Sequence, residues 1–87
     1  MNETSPSTDV VIGADTHKLT HAAVAISTLG ARLGTMTIAA NGNGYQALLA
    51  WTQSLGPIRA FGVEGTGSYG AGLSRFLYKQ GFSVIRG

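Results

Sequence analysis

Arg59–Tyr69 reads R-A-F-G-V-E-G-T-G-S-Y. A short apolar run, Ala60 to Val63, ends in Glu64, the only acidic residue in the second half of the chain. Gly65 and Gly67 follow at once, and a helical pattern begins just beyond them. A carboxylate at the C-terminal tip of a strand, with glycines that let another backbone come close, is a place where α/β proteins put chemistry. Gly65, Gly67 and Gly70 also spell G-x-G-x-x-G, a phosphate-binding pattern. The stretch therefore carries two incompatible readings, and the rest of the chain has to separate them.

Upstream, residues 1–9 are polar and read as a flexible tail, with the folded unit spanning 10–87. V-V-I-G-A-D is an apolar strand, about Val10 to Ala14, that ends in Asp15. T-H-K-L-T reads as a loop. His21–Ser27 is a second strand, turned at Leu29-Gly30-Ala31 into a third, Arg32–Ala39, which together make a hairpin signal. Asn43, with Gln46 three residues on, predicts a capped helix carrying Tyr45, Leu48, Leu49, Thr52 and Leu55, flanked by Trp51 and stopped at Gly56-Pro57. Arg59–Glu64 is the fourth strand. Ser68 is the expected cap of a second helix with Tyr69, Leu73, Phe76, Leu77 and Gln80 at helical spacing, and Gly81 ends it. Phe82–Arg86 is the fifth strand.

The order β-β-β-α-β-α-β predicts an α/β fold: a mixed five-stranded sheet, order 3-2-1-4-5, with the first three strands antiparallel and helices after strands 3 and 4. Strand–helix–strand crossovers are right-handed almost without exception, so both helices fall on one face. The first and fourth strands become parallel neighbours, and Asp15 comes beside Glu64. The other sheet face is left bare, which implies a further segment, a second copy or another partner to cover it.

Eighty-seven residues make one domain at most, with a small core. Apolar residues at 44% and charged residues at 11% argue against disorder. The net charge of +2 comes from scattered Lys and Arg, so it permits a nucleic-acid partner without pointing to one. There is no Cys, which excludes disulfides and thiolate metal sites. No apolar run is long enough to span a bilayer, and a soluble cytoplasmic chain without a membrane partner is the default expectation.

Two carboxylates at one sheet edge suit Mg²⁺, with Mn²⁺ a possible substitute. Asp15 and Glu64 are thus the candidate metal ligands; the bland alternative is a loop-capping Asp15 and a Glu64 paired with an arginine. Against the dinucleotide reading, that motif expects an acidic residue about 20 positions on, and no acid follows Glu64. His17 and His21 are four apart but fall in a loop and a strand, which reads as two surface histidines. Lys18, Thr66 and Ser68 are candidate nucleic-acid contacts, although a solvated lysine and two cap residues explain them equally well.

Four segments, V-I-G-A-D-T-H-K, N-G-N-G-Y-Q-A-L-L-A-W, F-G-V-E-G-T-G-S-Y-G-A-G-L-S-R-F-L and G-F-S-V-I-R, resemble in order and spacing the N-terminal domain of the insertion sequence 110 and 1111 transposases. The resemblance runs from about residue 10 to the last residue, with E-x-T-G-x-Y and D-x-x-K its most specific parts. It implies a RuvC-like version of the ribonuclease H fold and Mg²⁺-dependent cutting and joining of DNA, directed by a structured RNA from the element. It matches Asp15 and Glu64 to the first two of four catalytic acids. The other two acids and the serine nucleophile of that family have no counterpart here, so the expectation is a truncated copy, inactive alone. Two other readings stand beside it: a nucleotide-binding half-domain like those of actin-like ATPases and sugar kinases, and a non-catalytic nucleic-acid-binding remnant.

Overall fold

The computed structural model describes residues 9–65 and 68–87. Its elements are β1 (Val10–Thr16), β2 (Thr20–Ser27), β3 (Arg32–Ala39), α1 (Gly42–Gln53), β4 (Ile58–Glu64), α2 (Ala71–Lys79) and β5 (Val84–Arg86). One sheet holds all five strands in the order β3-β2-β1-β4-β5. β1 is antiparallel to β2, and β2 to β3, while β1 pairs parallel with β4, and β4 with β5. The fold is the expected α/β architecture.

The strands alternate in side-chain environment because successive residues point to opposite faces. On β1, Val10, Ile12, Ala14 and Thr16 are buried, while Val11 and Asp15 are exposed. On β4, Phe61 and Val63 are buried and Glu64 is exposed. The buried set joins Leu48 and Leu49 of α1 with Leu73 and Leu77 of α2 in one core, so both helices pack on the same face. Burying side chains such as Ile12, Phe61, Leu73 and Leu77 contributes roughly 1.5–3 kcal/mol each. The opposite face carries exposed Val11, Ile26 and Ile85 and has no helix over it among the described residues.

Several boundaries differ from the sequence reading, each for a local reason. β1 continues through Asp15 to Thr16 and β2 begins at Thr20, so the expected T-H-K-L-T loop is only His17–Leu19. The strands extend because Asp15 and Thr16 still find rungs opposite Ala22 and His21. The cap of α1 is Asn41 rather than Asn43: its Oδ1 accepts the Gly44 amide proton at 3.0 Å. Asn41 wins because the chain leaves β3 at Ala39 and must turn immediately. α2 starts at Ala71 behind Gly70, with no side-chain cap among the described residues, so Ser68 does not cap it. Instead the Ser68 carbonyl accepts the Ala71 amide proton at 3.0 Å, in the turn that precedes the helix. That also leaves Tyr69, expected on the helix stripe, outside the helix and exposed.

The C-terminal end of α2 follows the sequence closely. Gly81 has φ 92°, its amide donates to the Tyr78 carbonyl at 3.0 Å, and the Phe82 amide reaches the Leu77 carbonyl at 3.2 Å. That pair of bonds is a Schellman motif, which needs a left-handed residue where glycine stands. Of the expected tail, residues 1–8 lie outside the described residues. Asp9 itself is fastened, since its carbonyl accepts the Thr28 amide proton at 2.9 Å and its carboxylate meets Arg59 at 3.2 Å.

Gly44 lies against the end of β3, where an added Cβ would fall on the Ala39 carbonyl oxygen. Gly42, in the same helical turn, has nothing within 4 Å of such an atom. Gly44→Ala is therefore expected to destabilise the protein by about 1–3 kcal/mol. Gly42→Ala is expected to stabilise it slightly, by up to about 1 kcal/mol. Urea denaturation midpoints of the two variants check the pair.

Candidate functional site

The β1–β4 ladder runs from Val10 opposite Ile58 to Asp15 opposite Glu64, and that last pairing decides the site. Parallel neighbours end together, so two residues distant in sequence become adjacent at the C-terminal tips of two central strands. Their neighbours Ala14 and Val63 point into the core, so alternation turns both carboxylates to the uncovered face. There they border a trough of about 560 Å³ whose lining includes Gly13, Ala22 and Gly62. These small residues leave the centre of the sheet open to close approach.

Each carboxylate has a distinct surrounding. Asp15 Oδ2 lies 3.3 Å from His17 Nε2, with both side chains mostly exposed. An exposed pair of this kind contributes little to stability. Glu64 lies against the backbone of Gly87, where an added Cβ would stand 3.1 Å from its Cγ and 3.2 Å from Oε2. Gly87 is held there by its amide, which donates to the Val63 carbonyl at 3.1 Å. Among the described residues the carboxylate ion pairs are Asp15–His17 and Asp9–Arg59, so Glu64 is not the arginine partner that the bland reading required.

Beneath the pair, on the core side, Thr16 is buried and its Oγ1 donates to the Glu64 carbonyl at 2.8 Å. Glycines surround that bond. A Cβ on Gly65 would fall on the Thr16 hydroxyl and stand 2.9 Å from its carbonyl oxygen. A Cβ on Gly70 would stand 2.8 Å from Val63 Cγ1 and 3.3 Å from the Thr16 hydroxyl. Gly65 and Gly70 thus serve close packing around the strand ends. Gly67 and Thr66 lie outside the described residues. Lys18 is exposed in the β1–β2 connection, and Ser68 is exposed before α2.

The two histidines part company, which corrects their reading as a surface pair. His17 is exposed beside Asp15, whereas His21 is fully buried on the core side of β2. The His21 ring stacks on Tyr45 with centroids 6.1 Å apart, and Tyr45 meets Phe76 of α2 at 5.6 Å. His21 Nδ1 lies 3.3 Å from the His17 amide and 3.0 Å from the Thr20 carbonyl, and Nε2 has no partner among the described residues. Strand alternation carried the signal: His21 shares its parity with Ala23 and Ala25, both buried. The His17–Asp15 contact was likewise foreshadowed by their spacing of two at a strand end. Among the described residues no group of three or more His, Cys, Asp or Glu is gathered to hold a metal.

A mixed-sheet α/β domain with paired carboxylates at the tips of adjacent parallel strands is consistent with the RuvC-like form of the ribonuclease H fold. The family model of the DEDD transposases of insertion sequence 110, described as "Transposase", matches residues 12–86, and the chain belongs to that family. No curated protein matches it. Among solved structures, it is similar to a chain of "Crystal structure of Archaeoglobus fulgidus Pelota reveals inter-domain structural plasticity", with TM-score 0.58 and 10% identity. That match covers 90% of this chain and 26% of the Pelota chain, and at such identity it is a likeness of fold alone.

The packing of Gly65 on Thr16 is open to test. Gly65→Ala is expected to destabilise the protein by about 1–3 kcal/mol and to displace the amide resonances of Thr16 and Glu64 more than those of β2 and β3. Thermal melts and a two-dimensional amide spectrum check both.

Proposed function

We propose that this chain is the part of a transposase that supplies Asp15 and Glu64 as oxygen ligands for a divalent cation, Mg²⁺ or Mn²⁺, in DNA transposition. The observation that carries the proposal is the pairing of Asp15 with Glu64 at the end of the β1–β4 ladder, on the open face of the sheet. The donor set fits the ion. Mg²⁺ is a hard cation that keeps several waters and is commonly bound by one or two carboxylates together with substrate phosphates. When bound, such an ion offsets negative charge on a phosphodiester undergoing displacement.

The residues of this chain do the rest of the work attributed to it. Two adjacent carboxylates repel each other and repel a phosphate, so a DNA backbone can approach them only with a cation between. The small side chains that line the trough leave room for that approach. No acid follows Glu64 in the sequence, so the remaining two acids of a four-acid site come from outside these residues, and the chain alone is expected to be inactive. A further segment, or a second copy, would cover the apolar face beside the site. The family supports a nucleic-acid partner; DNA is the proposed substrate, with a structured RNA from the element as its guide. Lys18, Thr66 and Ser68 are proposed as contacts to the nucleic-acid backbone. No helix among the described residues is long and apolar enough to cross a membrane.

The nucleotide-binding reading has less support. Its phosphate-wrapping turn would have to be the connection His17–Leu19, which holds no glycine and is closed by a bond from the His17 amide to the Thr20 carbonyl at 3.0 Å. A non-catalytic remnant would bind nucleic acid with a steep salt dependence and no need of metal.

Titration of the protein with Mn²⁺, followed by paramagnetic broadening of amide signals, tests the proposal. Broadening is expected to centre on Asp15 and Glu64. A full charge about 4 Å from a dication in water is worth about 2 kcal/mol, so Asp15→Asn and Glu64→Gln should each weaken binding roughly thirtyfold. Without metal, the same substitutions relieve repulsion and are expected to raise the melting temperature. Broadening that ignores both acids would refute the site.

A further inference from the structure

We infer that Thr16 is a positioning residue for the acidic pair: its hydroxyl clamps the end of β4 to the end of β1 and fixes where Glu64 stands relative to Asp15. The inference rests on the cation reading of that pair and adds a residue to it. Thr16 is 3% exposed and points to the core side, away from the carboxylates, so it does not touch a bound ion. Its influence is transmitted through the backbone.

Asp15 opposite Glu64 is the last rung of the β1–β4 ladder. One residue further, the bond from Thr16 Oγ1 to the Glu64 carbonyl at 2.8 Å adds a cross-strand tie where pairing has ended. On its other side Thr16 is the last residue of β1 to pair with β2, opposite His21. The clamp is thus anchored to the middle of the sheet and reaches out to the residue that carries the second carboxylate. Gly65 and Gly70 pack so closely that a side chain on Gly65 would displace the hydroxyl.

The physical need for a clamp follows from the charges. Two like charges at paired strand tips push the tips apart when no cation lies between them. A strand end held only by its last rung is free to fray, and a frayed end must be re-ordered whenever an ion binds. A fixed spacing removes that cost, as groups behind a ligand commonly do. Valine has the shape of threonine without the donor, and serine keeps the donor without the methyl group, so the two substitutions separate bonding from packing.

The test uses the 87-residue protein and its variants Thr16→Val and Thr16→Ser, each read with and without Mn²⁺. Thr16→Val is expected to speed amide exchange at Glu64 and Gly65 about tenfold, weaken the Asp15–Glu64 cross-strand NOEs, and lower Mn²⁺ affinity at the pair about tenfold or more. Thr16→Ser is expected to restore all three. A valine variant with unchanged exchange, NOEs and affinity overturns the inference, as does a serine variant as impaired as the valine one. Should the wild type show no Mn²⁺ effect at either acid, the cation reading fails, while metal-free exchange and NOEs still decide the clamp. A measure that needs no substitution is the Thr16 hydroxyl proton: slow exchange with water supports the bond, and fast exchange overturns it.

Discussion

Everything else in the fold hangs on the parallel pairing of β1 with β4. It makes two strands, separated in sequence by a hairpin and a helix, end at the same level. Hydrogen bonding alone would allow other registers, but a slip of one residue would turn Phe61 and Val63 out of the core and Glu64 into it. Burial of Ile12, Phe61 and Val63 therefore fixes the register, and the register sets Asp15 beside Glu64. The core face and the acidic tip are two consequences of one alignment.

The faces of the sheet divide the labour. On one side, the helices, the stacking of buried His21 on Tyr45 and the Thr16 bond hold the strand ends in place. On the other, glycine and other small residues lie level with the carboxylates and leave the surface open. Gly65 and Gly70 belong to the first side. Both lie so close to Thr16 that a side chain would crowd it, which accounts for two of the three glycines that otherwise imitate a phosphate loop. The same letters can serve packing or ligand binding, and the contacts that a Cβ would make distinguish the two.

Much of this was legible in the sequence. Element order and sheet topology followed from apolar patterning, because each strand carries either a compact apolar run or a hairpin signal. The adjacency of the acids followed from the topology, and four quoted segments pointed to the transposase family. What was not legible depended on geometry finer than pattern. The choice of Asn41 over Asn43 as a cap was set by where the chain leaves β3, which two asparagines so close together cannot reveal. Ser68 looked like a cap because it precedes a helical stripe, yet the chain takes another turn before α2 begins. For His21, a polar letter beside a loop suggests solvent, although its parity with Ala23 and Ala25 places it inside. The role of Thr16 is not legible in the sequence, because a lone threonine gives no sign of a partner 48 residues away.

If Asp15 and Glu64 form one cation site, anomalous diffraction from crystals of this protein soaked in Mn²⁺ will locate the ion between the two strand tips. A single anomalous peak bridged by the two carboxylates, on the open face of the sheet, is the expected result. Peaks only elsewhere, or none at a manganese concentration that saturates exposed carboxylates in the same crystal, would contradict it.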